Sequence, residues 1–435
     1  MEQLLLIVIA DMDRQTPMSI LTPQALAGAD WALPLATTKA GKGQTTLSQN
    51  PRFTRLGARA LALAVLLAGS SVGEIRSCGS TNLTPGIAYD NDCRPKEPWS
   101  IHVIRVPRRS ASFELHAWHA QGRALGLAPV TSQTKLLEAG LGVPVAAING
   151  DFYLRDGAYA GHPRGVQIVE GELLSAPGGT SSFWIDILGE PHTADTVSRF
   201  QIVWPDASTT PVGLNGRRRA DGLELYTPAV GPSTRTVKGC ELVLERPGNS
   251  PWLPLRPGKT YRARVREVRD AGDTRIAPET LVLSMGPAVA AKHRRIPVGA
   301  EITISTATEP SLRGAKTAIS GGPVLVRDGK RQRIRVADSD SYEATSLLER
   351  HPRSAVGWND DYFFLVAVDG RHRGVSAGMT LSELTSYLME LGCQEAMNLD
   401  GGGSATLWYD GKVRNRPCDG YERAVANSLV VVQKK

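Results

Sequence analysis

Short apolar runs that stop abruptly at Asp, Asn and Gly set the rhythm of this chain. Val143–Ile148 stops at Asn149-Gly150-Asp151, Phe363–Val368 at Asp369-Gly370-Arg371, and Ala396–Leu399 at Asp400-Gly401-Gly402-Gly403-Ser404. Runs of this length bounded by turn residues predict buried strands. The alternating stretch Leu223–Tyr226, the run Leu281–Leu283 and the stretch Pro323–Arg327 before Asp328-Gly329 predict further strands. Between the last two aspartate-terminated runs the period changes. Thr380 and Glu383 have the spacing of a capping box, Leu381, Leu384 and Leu388 share one helical face, and Gly392 marks the helix end. Strand, helix, strand predicts a parallel crossover, which would bring Asp369 and Asp400 to one edge of a sheet. In open α/β sheets that carboxyl edge is where ligands bind. The expected class is α+β: a strand-rich mixed sheet core with a few helices, including a βαβ unit near the C-terminus.

With 435 residues, 41% of them hydrophobic, the chain has the apolar material for a large core. No linker, low-complexity tract or fixed-period repeat interrupts it after Trp99, so residues 99–435 are expected to form one domain. Before it, Arg52, Arg55 and Arg59 run into the apolar segment Leu61–Ala68 and then Gly69-Ser70-Ser71. This order is that of a secretory signal, too short for a membrane span. Residues 1–77 are therefore read as a leader, disordered or removed, and residues 78–98 as a Cys-containing linker. The mature protein is expected in the cell envelope, the periplasm or outside the cell, with no stable membrane span. In an oxidising compartment Cys78 with Cys93 and Cys393 with Cys418 are candidate disulfides, leaving Cys240 free. The cysteines show no zinc spacing. The net charge of +7 comes from scattered basic residues, which argues against nucleic-acid binding and for a small anionic ligand.

Each motif has a plain reading beside a chemical one. Asp400-Gly401-Gly402-Gly403-Ser404 is either a tight turn with a local cap or a carboxylate beside a backbone that can approach an anion closely. Ser404 is not in a Gly-x-Ser-x-Gly elbow, so a serine nucleophile is disfavoured. Asp369-Gly370-Arg371 and Asn149-Gly150-Asp151 are common turn sequences, but both end buried strands. His351-Pro352-Arg353 and Ser320-Gly321-Gly322-Pro323 carry little signal alone.

Taken together, Asn149-Gly150-Asp151-Phe152, Ile319-Ser320-Gly321-Gly322-Pro323, His351-Pro352-Arg353-Ser354, Val368-Asp369-Gly370-Arg371, Asn398-Leu399-Asp400-Gly401-Gly402-Gly403-Ser404 and Glu422-Arg423 resemble the phosphodiester glycosidase family, which includes the lysosomal uncovering enzyme. The resemblance runs from about Trp99 to Lys435 and is strongest after Ala318. It departs from the family at Asp151, where a glycine is usual. It implies an exported hydrolase that cuts the glycosidic bond of a sugar-1-phosphodiester, releasing free sugar and a phosphate monoester. The substrate it implies is a phosphorylated carbohydrate of the N-acetylglucosamine-1-phosphate or envelope-glycopolymer kind. Asp400, Asp369 and Asp151 become the catalytic candidates. Arg353 and Arg371 would bind phosphoryl oxygens through planar, bidentate hydrogen bonds. Asn149, Gly322, Asn398, Gly401, Gly402, Gly403, Ser404 and Arg423 would complete the substrate site. No cofactor is implied, although the oxygen-rich Asp369 and Asp400 loops offer ligands of the calcium type. The rival readings are a non-catalytic glycan-binding protein of the envelope and a phosphodiesterase that cuts on the other side of the phosphate.

Overall fold

The computed structural model describes residues 77–434 except 123–124, 294–295 and 335–346. The expected leader therefore falls, but for residue 77, outside the described residues. Gly69–Lys435 is one compact unit, dominated by strands in three sheets. Residues 78–98, read as a linker, instead carry most of strand Ser77–Thr81 and all of strand Ala88–Arg94, the outer strands of an eight-stranded sheet.

The continuous apolar runs exist because both faces of their sheets are covered. In strand Tyr362–Val368, Phe363, Leu365 and Ala367 enter one core cluster, whereas Phe364, Val366 and Val368 enter another. The first cluster lies between the eight-stranded sheet and a five-stranded sheet made by Lys412–Val413, Leu407–Tyr409, Val143–Asn149, Asn427–Gln433 and Phe113–His119. The second is closed by helix Leu381–Glu390, whose Leu381, Leu384, Tyr387 and Leu388 are buried. That helix starts as its sequence predicts. The Thr380 hydroxyl accepts from Glu383 N at 3.1 Å, and Glu383 Oε2 accepts from Thr380 N at 2.9 Å. It is followed by Gly392 at φ +83. Truncating a residue such as Leu365 in this sandwich is expected to cost about 2–5 kcal/mol.

The C-terminal crossover differs from a simple βαβ unit. Strand Arg353–Trp358 lies between Tyr362–Val368 and Glu395–Asn398 and is antiparallel to each. The flanking strands therefore point the same way without being hydrogen-bonded to each other. Val368 pairs with Arg353, and Asn398 with Ala355. Both strands thus finish at the end where Arg353 begins.

A twelve-stranded sheet holds the middle of the chain around its own core, which includes Ile202, Leu242, Leu283 and Ile304. Its strand Thr317–Ser320 passes through Gly321-Gly322-Pro323 into strand Val324–Arg327 of the eight-stranded sheet. Among the described residues no helix is long and apolar enough to cross a membrane.

Candidate active site

Two sheets end together at the Asp400 loop. Strand Val143–Asn149 delivers Asn149 and Gly150 from the five-stranded sheet, and strand Glu395–Asn398 delivers Asp400 from the eight-stranded one. Asp400 N donates to Gly150 O at 2.9 Å, and Asn149 Nδ2 donates to Asp400 O at 2.6 Å. Asn149 Oδ1 accepts from Ser354 Oγ at 2.6 Å and from Thr406 N at 3.0 Å. The fully buried Asn149 is thus a clamp across the seam. Gly150 has no room for a side chain, because a Cβ would run into Ile319 and Asn427.

The clamp brings two carboxyl groups into one field. Asp151 is buried, and its Oδ2 accepts from Gly165 N at 2.8 Å. Burial pushes its pKa up to about 7, further raised by the charge of Asp400, against the lowering effect of the Gly165 and Phe152 amides and Arg164. Asp400 is partly open to solvent, and its Oδ1 accepts from Gly401 N at 2.9 Å. Desolvation raises its pKa to about 6, tempered by Ser404, Gly401, Arg155 and Arg423. Carboxyl groups with raised pKa values are characteristic of acid–base sites.

Guanidinium groups crowd the glycines that follow. A Cβ on Gly402, itself at φ +59, would lie 3.4 Å from Arg371 Nη2. A Cβ on Gly403 would overlap the Arg423 guanidinium and the Asp419 carboxylate. Arg423 donates to Asp419 Oδ2 through Nε at 3.0 Å and Nη2 at 2.6 Å. Arg371 contacts His351 Nδ1 through Nη2 at 3.0 Å. Gly402 N donates to Pro352 O at 2.9 Å, tying the glycine loop to the His351-Pro352-Arg353 segment. Arg353 is 3% exposed and donates to the carbonyls of Met379 and Glu349, both at 2.8 Å. Burial, and then the charge of Arg371, lower its pKa to about 10. Among the described residues it has no carboxylate partner. The combination of cations and a glycine backbone is suited to an oxyanion.

Asp369 ends its strand near the Asp400 loop, but its oxygens are already engaged. Oδ1 accepts from Arg416 N at 2.7 Å, and Oδ2 from Ser100 Oγ at 3.0 Å, with His102 Nε2 also at 3.0 Å. With Nε2 donating, His102 Nδ1 accepts from Tyr89 OH at 2.9 Å. Gly322 and Asn398 likewise bind each other: Gly322 N donates to Asn398 O at 2.6 Å, and Asn398 Nδ2 to Gly322 O at 2.9 Å. They fasten the passage between two sheets. The second candidate disulfide is corrected, since Cys393 and Cys418 are both free. Cys393 is buried against Gly357, whereas Cys418 lies by Arg371 and Asp419. The first candidate pair includes Cys78, whose side chain lies outside the described residues. Among the described residues no three His, Cys, Asp or Glu side chains form a metal-holding group.

Sequence reasoning missed Tyr153, Arg155 and Asp419. Burial, opposed by Ser404, raises the pKa of Tyr153, and Asp400 raises it further. Arg155 acts on both Tyr153 and Asp400. The clue available in the sequence was proximity: both follow Asp151 within four residues.

Residues 262–432 match the family model described as phosphodiester glycosidase. Over those residues the match agrees with the family resemblance read from the sequence. This phosphodiester glycosidase match takes in Arg353, Asp369, Arg371, the Asp400 loop and Arg423, while Asn149 and Asp151 precede it. It supports a hydrolase-type function. A stretch of 135 residues is 36% identical to the SPbeta prophage-derived uncharacterized protein YomE of Bacillus subtilis (strain 168), covering 31% of this chain and 19% of that protein. In fold, the chain is similar to a hypothetical protein from Synechocystis, with TM-score 0.65, 21% identity and coverage of 82% of this chain and 63% of that one. A candidate exported protein from Burkholderia pseudomallei K96243 gives TM-score 0.60 at 18% identity, covering 77% and 74%. At these identities the likeness to solved structures concerns the fold alone.

Proposed function

We propose that this protein is an exported glycoside hydrolase that cleaves the sugar–oxygen bond of a sugar-1-phosphodiester. The observation that carries the reading is the glycine loop after Asp400, flanked by Arg371 and Arg423 and joined through Gly150 to the Asp151 segment, with the pKa values of Asp400 and Asp151 raised to about 6 and about 7. The phosphodiester glycosidase match over residues 262–432 supports the same reaction class.

In this mechanism the bond from the anomeric carbon to the phosphate oxygen breaks, and its electron pair leaves on the phosphate monoester. Arg371 and Arg423 neutralise the charge that develops there, with Arg353 adding to the positive field. Asp400, the more readily ionised and more open carboxylate, faces the oxocarbenium-like centre as nucleophile or as base toward water. Asp151, whose pKa is the higher of the two, holds its proton up to about pH 7. Arg155 favours the ionised form of the Asp400 carboxyl through its charge. Asp369 acts as a positioning residue, holding the Arg416 and Ser100 segments around the loop. A phosphate monoester is a good leaving group, so strong general-acid help is not required.

The test is product identification after incubation with an N-acetylglucosamine-1-phosphodiester, beside Asp400→Asn. Free sugar and a phosphate monoester, lost in the variant, are expected. Binding without turnover by the wild-type protein would replace this reading with a glycan-binding one. Export rests on the basic, apolar, small-residue order of Arg52–Ser71, and amino-terminal sequencing of the secreted protein tests it.

A further inference from the structure

A cavity of about 650 Å³ is walled by Leu154 and Asp156 on one segment and by Arg217, Arg218, Arg235 and Lys238 on others. The chain from Asp151 to Gly165 folds back on itself to make the first wall. Arg164 N donates to Phe152 O at 2.8 Å, Leu154 N to His162 O at 3.0 Å, and Gly161 N to Leu154 O at 2.7 Å. Its base carries Asp151 and Tyr153, and its tip lines the cavity. Leu154, in the cavity wall, is the chain neighbour of Tyr153, which feels the charge of Asp400, and of Arg155, which acts on Asp400. One Cα–Cα step is about 3.8 Å, so this wall of the cavity is one residue along the chain from each of them.

Its electrostatics favour an anion. Four cationic side chains meet one lining carboxylate, Asp156, and among the described residues none of the four makes an ion pair. Arg235 Nη1 donates to Ala158 O at 2.7 Å, and Arg218 Nη2 donates to Lys238 O, so two of the cations are held in place by backbone carbonyls. Arg218 Nε and Nη1 are buried, with no hydrogen-bond partner among the described residues. Glu224 is near enough to feel Arg218, but burial pushes its pKa up to about 7, which weakens it as a counter-ion near neutral pH. Buried donors without acceptors are unfavourable. A tetrahedral oxyanion supplies acceptors in the planar geometry that guanidinium offers.

We infer that this cavity is a second anion subsite, taking a phosphate carried by the same substrate beyond the bond that is cut. The substrate class is then a glycan with repeated phosphodiesters. The choice of phosphate as the ligand rests on the proposed glycosidase reading, whereas the anion site itself does not. The test uses the whole protein, the double variant Arg217→Gln with Arg218→Gln, the single variant Arg217→Gln at an exposed position, and Asp400→Asn. Calorimetry with inorganic pyrophosphate is expected to show binding that Asp400→Asn retains, that Arg217→Gln weakens several-fold and that the double variant loses. In kinetics, the ratio of kcat/KM for a substrate with two phosphodiesters over one with a single phosphodiester is expected to exceed tenfold. In the double variant it falls to about one. Pyrophosphate binding and a substrate ratio that both survive the double substitution overturn the inference, even with turnover intact. Lack of turnover with Arg218-dependent pyrophosphate binding removes the glycosidase reading and leaves the anion site standing.

Discussion

The side-chain amide of Asn149 reaches across the seam between two sheets to donate to the backbone carbonyl of Asp400 at 2.6 Å. The same side chain accepts from Ser354 and Thr406, so one buried residue sets where the Asp400 loop begins. Asn149→Ala strands several buried donors and acceptors, each costing about 1–3 kcal/mol. Destabilisation of at least about 2 kcal/mol is expected in denaturant unfolding, together with a fall in kcat larger than any rise in KM. Wild-type kcat in the folded variant would remove Asn149 from the positioning scheme.

The raised pKa values of Asp151 and Asp400 predict two pH effects. If Asp400 works ionised while Asp151 holds a proton, kcat/KM rises through about pH 6 and falls through about pH 7. Asp151→Asn should flatten the alkaline limb. For stability the sign follows from proton binding. Both groups ionise in the unfolded chain at lower pH than in the folded one, so the folded state holds more protons between about pH 4 and 7. Their contribution is present at acid pH and lost as pH rises through the folded values. Asp151→Asn is therefore expected to gain stability relative to wild type on going from pH 4 to pH 8, on the order of a few kcal/mol at most. A pH-independent difference would show that Asp151 is not held protonated.

The glycine loop and its arginines make a separable prediction. Removing one charge-assisted contact to phosphate, as in Arg371→Met, should lower kcat/KM about 10- to 100-fold. Gly403→Ala should have a comparable effect, because its Cβ displaces Arg423 and Asp419. Steady-state kinetics with circular dichroism as a folding check would measure both. Neither change is expected to alter which bond is cut.

Asp369 is predicted to behave unlike Asp400. Its carboxylate accepts from Arg416 N, Ser100 Oγ and His102, so Asp369→Asn turns an amide NH₂ toward groups that need an acceptor. The expected outcome is a loss of about 1–3 kcal/mol of stability with measurable residual turnover. Asp400→Asn should show the reverse pattern. Complete loss of turnover in a fully stable Asp369→Asn protein would return Asp369 to the chemistry.

Much of this arrangement was legible before the structure. The capping box at Thr380 and Glu383 and the aspartate-terminated apolar runs are local signals, and they placed Asp369 and Asp400 at one edge. The intervening strand Arg353–Trp358 was not legible as such, because no local pattern distinguishes neighbouring parallel strands from strands separated by a third. The roles of Asp151 and Asp369 were equally hidden. Both are Asp beside Gly at a strand end, and only long-range partners, His102 and Arg416 for one and the Asp400 charge for the other, separate them. Cys393 and Cys418 looked like a pair by spacing, yet one is packed under a helix end and the other sits among the site arginines.

The position of bond cleavage is the central claim, and turnover in ¹⁸O-enriched water reads it directly by mass spectrometry of the phosphate product. Attack at the anomeric carbon predicts an unlabelled phosphate monoester beside free sugar. An ¹⁸O atom on the phosphate, in whichever product carries it, would mean that phosphorus is attacked and would contradict the account.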